Sequence, residues 1–234
     1  MAGGLGTRLR SVVSDVPKPM ALVQEKPFLE HLMEFYIKKH KMKFIISIGY
    51  KGEFISSYFG SNIHGSTIEY VHEEAPLGTG GALNRVLNNT HIEEKLFFVI
   101  NGDSFVDYNF LEMQDIHIKS MNDLTITTMY ANEINRYGGL KVDKNSQQVT
   151  SFLSSKCEIG EVANAGIYAF SNNHHIHSTL KNLAPKFSLE SDFLPKYILE
   201  NKVGYYHTDN KFLDIGVPRD YLKANKLFES EHND

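Results

Sequence analysis

"KFIISIGYKGEFISSYFG" (residues 43–60) decides the fold class. Its first part, "KFIISIGY" (43–50), is a short apolar run rich in β-branched residues, the pattern of a strand buried in a parallel sheet. Its second part, "GEFISSYFG" (52–60), reads as a short helix stopped at Gly60. Upstream, "FLEHLMEFYIKKHK" (28–41) sets Phe28, Leu29, Leu32, Met33, Tyr36 and Ile37 at helical spacing. Downstream, "STIEYVHE" (66–73) alternates like a strand, and "GTGGALNRVLNN" (78–89) opens as a glycine loop and turns helical. "KLFFVINGD" (95–103) is a second strongly apolar strand, "NFLEMQDIHIKS" (109–120) a helix and "LTITTMYA" (124–131) a strand. This alternation predicts a doubly wound, Rossmann-like α/β fold with a mostly parallel sheet and right-handed crossovers.

The pattern changes after about residue 132. "GGLKVD", "VTSFLS" and "VANAGIYAF" read as short strands with glycine and asparagine turns, followed by helices near 188–200 and 217–229. One domain over 1–234 is expected, with a sheet-forming half (1–131) and a small mixed lobe (132–234). Apolar content of 41% and charged content of 22% fit a soluble globular protein. A formal net charge of −4 argues against a nucleic-acid coat or a membrane-surface role. Cys157 is the only cysteine, so an intrachain disulfide or cysteine metal cluster is excluded. No apolar run reaches the ~18 residues of a membrane span, and no charged-then-apolar leader is present, so a cytoplasmic setting is expected. A homo-oligomer stays open. Among the eleven histidines, His174, His175 and His177 cluster in a polar stretch that reads as a solvated loop.

Five short segments carry candidate chemistry. In "GGLGTRL" (3–9), glycines let a backbone approach a polyanion, while Thr7, Arg8 and the start of a helix would add donors and positive potential; the alternative is a plain tight turn. In "DVPKPM" (15–20), two prolines fix where the Lys18 ammonium points, which suits either a phosphate ligand or a surface turn. "EEAPLGTGGAL" (73–83) is a glycine-dense turn between a strand and a helix, the place where open α/β sheets bind ligands. "FFVINGDSF" (97–105) brings Asp103 to the end of a buried strand, as a hard oxygen ligand for Mg²⁺ or as a turn cap. Asp214 in "FLDIGVPRDY" (212–221) is the candidate second ligand of the same ion.

Taken in order, "AGGLGTRL", "PKPM", "PLGTGGAL", "NGDS", "YGGL", "NAGIY", "FSLESDFLP" and "FLDIGVPRDY" resemble the sugar-1-phosphate nucleotidyltransferases over nearly the whole chain. The resemblance implies attack of a sugar 1-phosphate oxygen on the α-phosphorus of a nucleoside triphosphate, with pyrophosphate leaving and Mg²⁺ as cofactor. It implies that Gly3, Gly4, Gly6 and Thr7 cradle the triphosphate, that Arg8 neutralises the leaving pyrophosphate and that Lys18 bridges to the α-phosphate. Arg8, Lys18 and Asp103 are then the catalytic set, with Asp103 and Asp214 on the metal. Glu73, Pro76, Leu77, Gly78 and Thr79 would hold the base, and a glutamate (Glu73 or Glu74) accepts guanine's adjacent N–H donors well. Gly138, Gly139, Lys156, Asn164 and Glu190 match positions that line the sugar pocket. Glu190 equally reads as a helix N-terminal charge after Ser188.

Within the family, the compact length, "FSLESDFLP" and the short ending are most similar to the bacterial guanylyltransferases of D-glycero-D-manno-heptose 1-phosphate, which serve surface polysaccharide synthesis. Mannose 1-phosphate with GTP, or glucose 1-phosphate with UTP or dTTP, are the alternative substrates. A non-catalytic nucleotide-sugar binding module is the competing class, and the retained Arg8, Lys18, Asp103 and Asp214 speak against it. The chain departs from the family twice. "FLSSKCE" stands where relatives carry a Glu-Lys pair, so Lys156 would supply the lysine displaced by one residue. Relatives also carry five or six apolar residues before the glycine loop, as a central strand, where this chain has only Met1. The expectation is an internal or misassigned start, or an impaired protein.

Overall fold

Residues 1–9, 11–38, 41–134, 136–153 and 157–229 are described by a computed structural model. They form two compact units, one of Met1–Pro76, Asn101–Phe105 and Leu213–Asp234, the other of Leu77–Ile100 and Val106–Phe212.

In the first unit, the strands Lys43–Ile48 and Ser66–His72 pair in parallel, and Asn62–Ile63 adds antiparallel to the second. The helix Gly52–Phe59 joins them, burying Ile55 and Phe59. The helix Phe28–Ile37 buries Phe28, Leu29, Leu32, Met33 and Tyr36, the stripe its spacing predicts. Ring contacts close this core: Phe105 meets Phe35 at 5.0 Å and Phe228 at 5.3 Å, and Phe228 stacks on His31 at 4.4 Å. The glycine loop is anchored on both sides of its first residues. Ala2 N–H donates to Ser47 O, and Gly102 N–H donates to Met1 O, both at 2.9 Å.

The second unit is built on a six-stranded sheet in the order Leu96–Ile100, Val162–Ser171, Leu124–Tyr130, Val203–His207, Gln148–Leu153, Gly139–Asp143. Of these neighbours only Leu124–Tyr130 and Val203–His207 run parallel. The Rossmann-like α/β class holds, while the strand directions are more mixed than the early alternation predicts. For one pair the reason is local: Gly139–Asp143 and Gln148–Leu153 are joined by a tight turn, which forces antiparallel pairing. Val162–Ser171 also runs antiparallel to both Leu96–Ile100 and Leu124–Tyr130, across long connections that leave strand direction open. The histidine stretch is likewise a helix, His174–Lys181, rather than a loop. Asn173 caps it by accepting Ile176 N–H, and His175 and His177 contact Asn201 and Asn172. That polar composition hid a capped helix whose buried face is only Ile176 and Leu180.

Behind the sheet, His117 is buried, with Nδ1 at 2.9 Å from Thr125 Oγ1 and Nε2 at 3.0 Å from Ser171 Oγ. Burial pushes its pKa down to about 4, against a smaller opposing pull from Asp123. The unfolded chain therefore binds a proton at His117 that the folded chain refuses. Its stabilising share is complete above about pH 6.5 and is lost as pH falls towards 4, by roughly 3 kcal/mol. Urea unfolding at pH 7 and pH 4.5 is expected to show a steeper acid loss in the wild type than in His117→Gln. Equal losses in both would contradict this.

Candidate active site

The first unit gathers the predicted cation and carboxylates. Leu9 N–H donates to Gly6 O at 3.0 Å, so the glycine loop closes in a three-residue 3-10 turn, Thr7–Leu9. Among the described residues the helix start expected there is this short 3-10 turn and no longer helix. Positive potential at the loop therefore rests on backbone N–H groups and Arg8, not on a helix dipole. Thr7 and Arg8 are exposed. A second 3-10 turn, Lys18–Met20, follows Pro17, whose φ of −66° and ψ of 150° set the entry direction. Ahead of it, Lys51 Nζ donates to the carbonyls of Ser14 and Asp15 at 2.9 and 2.8 Å.

The Lys18 ammonium pairs with Asp103 Oδ2 and lies 3.8 Å from Asp214 Oδ1. Asp103 sits three residues past the strand Leu96–Ile100 rather than on its last residue, and its carbonyl accepts Ile215 N–H at 3.0 Å. Burial would raise the Asp103 carboxyl, but the Lys18 charge and hydrogen bond, with one from Ser104, carry it below the usual carboxylate range. Asp214 Oδ1 accepts Gly216 N–H at 2.7 Å, and a Cβ at Gly216 would come within 2.8 Å of that oxygen. Two carboxylates thus converge within reach of one cation. That donor set fits Mg²⁺, which takes one or two protein carboxylates and completes its shell with phosphate oxygens and water. Among the described residues no group of three or more His, Cys, Asp or Glu could hold a metal without such help.

Glu73 follows the strand Ser66–His72, and its Oε1 accepts the Ser47 hydroxyl at 2.8 Å. Gly3 lies against it: a Cβ there would stand 2.3 Å from Glu73 Oε1. Gly6 has a φ of +59°, and a Cβ would approach Lys18 Cβ at 3.0 Å. Gly4 differs from both. Nothing lies within 4 Å of a Cβ built there, and its φ is not positive. Glu74 and Pro76 are exposed.

In the second unit the glycine-dense turn has a packing role that its composition did not reveal. Gly80 and Gly81 N–H both donate to Phe187 O at 3.1 Å, and Phe187 N–H returns to Leu77 O at 3.0 Å. A Cβ on Gly78 would lie 2.5 Å from Phe187 O, on Gly80 2.1 Å from the Phe187 ring, and on Gly81 2.5 Å from Pro185 O. The segment 185–188 therefore occupies the space that side chains would need. Thr79 Oγ1 donates to Glu190 Oε2 at 2.6 Å and accepts Leu189 N–H at 2.8 Å.

The predicted sugar-pocket residues meet around a β-bulge. Asn164 is opposite Thr128 and Tyr168 opposite Ile126, so four steps on one strand face two on the other. Gly166 takes up the slack with a φ of +78°, its N–H donating to Asn164 Oδ1 at 3.0 Å. The bulge turns Asn164 Nδ2 onto the Tyr168 hydroxyl at 2.7 Å, and that hydroxyl donates to Glu190 Oε1 at 2.9 Å. Burial and the Glu190 charge push the Tyr168 phenol well above its ordinary range, so it stays a neutral donor. Gly138 joins through its carbonyl, which accepts Asn164 N–H at 2.9 Å, and Gly139 pairs with Ala163. Lys156 lies outside the described residues.

Sequence reasoning missed Tyr168, Ser47 and Lys51 as partners of these groups, whereas Ser188 does cap the turn that carries Glu190, as the alternative reading of Glu190 expected. Tyr168 sits inside "NAGIY", four residues after Asn164, but its type alone reads as core packing. Only the Gly166 break in an otherwise apolar strand signalled the bulge.

The nucleotidyl transferase family description matches residues 1–231. The chain is 39% identical over 226 residues to the D-glycero-alpha-D-manno-heptose 1-phosphate guanylyltransferase of Aneurinibacillus thermoaerophilus, covering 97% of this chain and 95% of that protein. It is 35% identical over 221 residues to the enzyme of the same name from Campylobacter jejuni subsp. jejuni, covering 94% and 95%. The crystal structure of HddC from Yersinia pseudotuberculosis superimposes with a TM-score of 0.82 at 36% identity, covering 97% of this chain and 96% of HddC. HddC complexed with GMP-PN gives 0.81 at 35%, with the same coverage.

Proposed function

The chain belongs to the nucleotidyl transferase family, and on that premise we propose that it transfers GMP from GTP to D-glycero-α-D-manno-heptose 1-phosphate. A phosphate oxygen of the sugar 1-phosphate bonds to the α-phosphorus of GTP, the bond from that phosphorus to the β-phosphate bridging oxygen breaks, and pyrophosphate leaves. The heptose and guanine assignments draw on the relatives named above, together with Glu73 as acceptor for guanine's N–H donors. No protein nucleophile is required, so catalysis consists of positioning and charge stabilisation.

Gly3, Gly4, Gly6 and Thr7 cradle the triphosphate, Arg8 meets the leaving pyrophosphate and Lys18 meets the α-phosphate. Pro76, Leu77 and Gly78 continue the base loop from Glu73. Asp103 and Asp214 would hold Mg²⁺, which when bound would offset negative charge on the transferring group. Gly138, Gly139, Asn164, Glu190 and Lys156 serve the sugar. A cytoplasmic enzyme of surface-polysaccharide precursor synthesis is consistent with this chemistry. No described helix is long and apolar enough to cross a membrane.

The observation that carries the nucleotide half is Gly4. Neither backbone conformation nor a neighbouring atom demands glycine there, which leaves close approach of a ligand as its reason. Gly4→Ala is expected to leave the melting temperature within about 1 °C of wild type and to raise the KM for GTP about tenfold. The matching experiment measures pyrophosphate release over a matrix of nucleoside triphosphates and sugar 1-phosphates. GTP with the heptose 1-phosphate is expected to give the highest kcat/KM. Absence of release with every pair would overturn the function, and a Gly4→Ala enzyme unchanged in KM would overturn the cradle.

A further inference from the structure

We propose that Thr79 is a positioning residue of the sugar subsite that holds the Glu190 carboxylate, rather than a ligand of the nucleotide. The inference rests on Glu190 being the sugar-hydroxyl acceptor.

Thr79 is placed by motif in the base loop, yet its hydroxyl is committed elsewhere. It has one proton and spends it on Glu190 Oε2 at 2.6 Å, while one of its lone pairs takes the Leu189 N–H at 2.8 Å. Leu189 begins a π-helical turn, Leu189–Phe193, whose first N–H groups have no partner within the turn. Thr79 satisfies the Leu189 N–H, and the Ser188 hydroxyl satisfies those of Glu190 and Ser191. Single π-helical turns recur at functional sites because the extra residue per turn redirects a side chain. Glu190 lies in the first positions of this turn.

The donor count sharpens what Glu190 can do. A carboxylate offers about four acceptor directions. Thr79 and Ser188 hydroxyls fill two on Oε2, at 2.6 and 2.9 Å, and Tyr168 fills one on Oε1 at 2.9 Å. Among the described residues these three donors leave Oε1 with room for a ligand hydroxyl. Removing the Thr79 donor leaves Oε2 held only by Ser188, and the carboxylate is free to rotate away from that ligand.

The test is a KM split, measured by initial rates with each substrate varied in turn, on wild type, Thr79→Val, Thr79→Ser, Ser188→Ala and Glu190→Gln. Valine keeps the shape of threonine and removes the hydroxyl. Thr79→Val is expected to raise the KM for the sugar 1-phosphate about tenfold and leave the KM for GTP within about twofold. Thr79→Ser, which restores the hydroxyl, is expected to bring the sugar KM back. Ser188→Ala removes the other Oε2 donor without touching the glycine turn and is expected to give the same selective rise, which covers the case of a poorly folding Thr79→Val. A rise in the GTP KM, an equal rise in both, or no change in either overturns the proposal. Glu190→Gln separates the two levels. If it leaves the sugar KM at the wild-type value, the sugar reading of Glu190 fails and the proposal with it. If it raises that KM while Thr79→Val and Ser188→Ala do not, the proposal alone fails.

Discussion

Asp103→Asn is expected to lower kcat for nucleotidyl transfer by about 1,000-fold in a protein that remains folded. Asparagine preserves shape and one oxygen for the Lys18 ammonium, but removes the negative charge on which both a divalent ion and that ammonium depend. Lys18 would then face only Asp214, 3.8 Å away, and would be less firmly placed for an α-phosphate. The loss is expected in kcat more than in KM for GTP, because the charge acts most strongly where charge develops in the transition state. Pyrophosphate release under saturating substrates measures it. A fall of less than tenfold would remove Asp103 from the catalytic set. Its carboxyl lies below the usual range, chiefly through Lys18 overcoming the opposite effect of burial. The stabilising share of this pair is therefore present above the ordinary carboxylate range and is lost only as pH drops through the depressed value. Wild type and variant should accordingly converge in stability in strong acid and diverge at neutral pH.

Gly78→Ala is expected to destabilise the protein by about 3 kcal/mol, a fall in melting temperature of roughly 6–12 °C for a chain of this size. Two effects combine. Gly78 has a φ of +75°, which by itself costs about 1 kcal/mol for alanine. Its Cβ would also stand 2.5 Å from Phe187 O, a backbone atom already accepting Gly80 and Gly81 N–H, so relief of the overlap breaks those bonds. Gly160 supplies the contrast. It has a similar φ of +85° but nothing within 4 Å of a Cβ, so Gly160→Ala is expected to lose only the conformational part. Calorimetric melting of the two variants measures the difference. Equal shifts would show that the contact with residues 185–188 contributes nothing.

The elements legible in the sequence are those whose periodicity reports burial. The stripe of Phe28, Leu32 and Tyr36 and the run Phe44–Ile48 name their own partners, because an apolar face has only the core to face. The convergence of Lys18, Asp103 and Asp214 was legible as an ordered set of motifs, although no local pattern states that the three meet. The packing role of the dense glycines at 78–81 was not legible, since composition does not distinguish space vacated for a ligand from space filled by Phe187. Gly4 and Gly80 are the same letter with opposite surroundings. The Thr79–Glu190 contact was hidden for a related reason: a hydroxyl has no periodic signature, and Glu190 is 111 residues away. The mixed strand directions were lost because alternation in type says nothing about which strands pair, and Val162–Ser171 lies antiparallel between two strands far from it in sequence.

The bulge between Asn164 and Tyr168 has a bearing on how this protein can change. Strand side chains alternate faces, and the two extra residues leave that parity intact, so Asn164 and Tyr168 remain on one side. Insertion or deletion of a single residue between them would send one of the pair to the opposite face and detach Glu190 from Tyr168. Substitutions can retune this subsite in small steps, but its length cannot be altered by one residue without dismantling it. On the proposed sugar role, new preferences are reachable by exchanging side chains around a segment of fixed count, and closed to any route that passes through a one-residue indel.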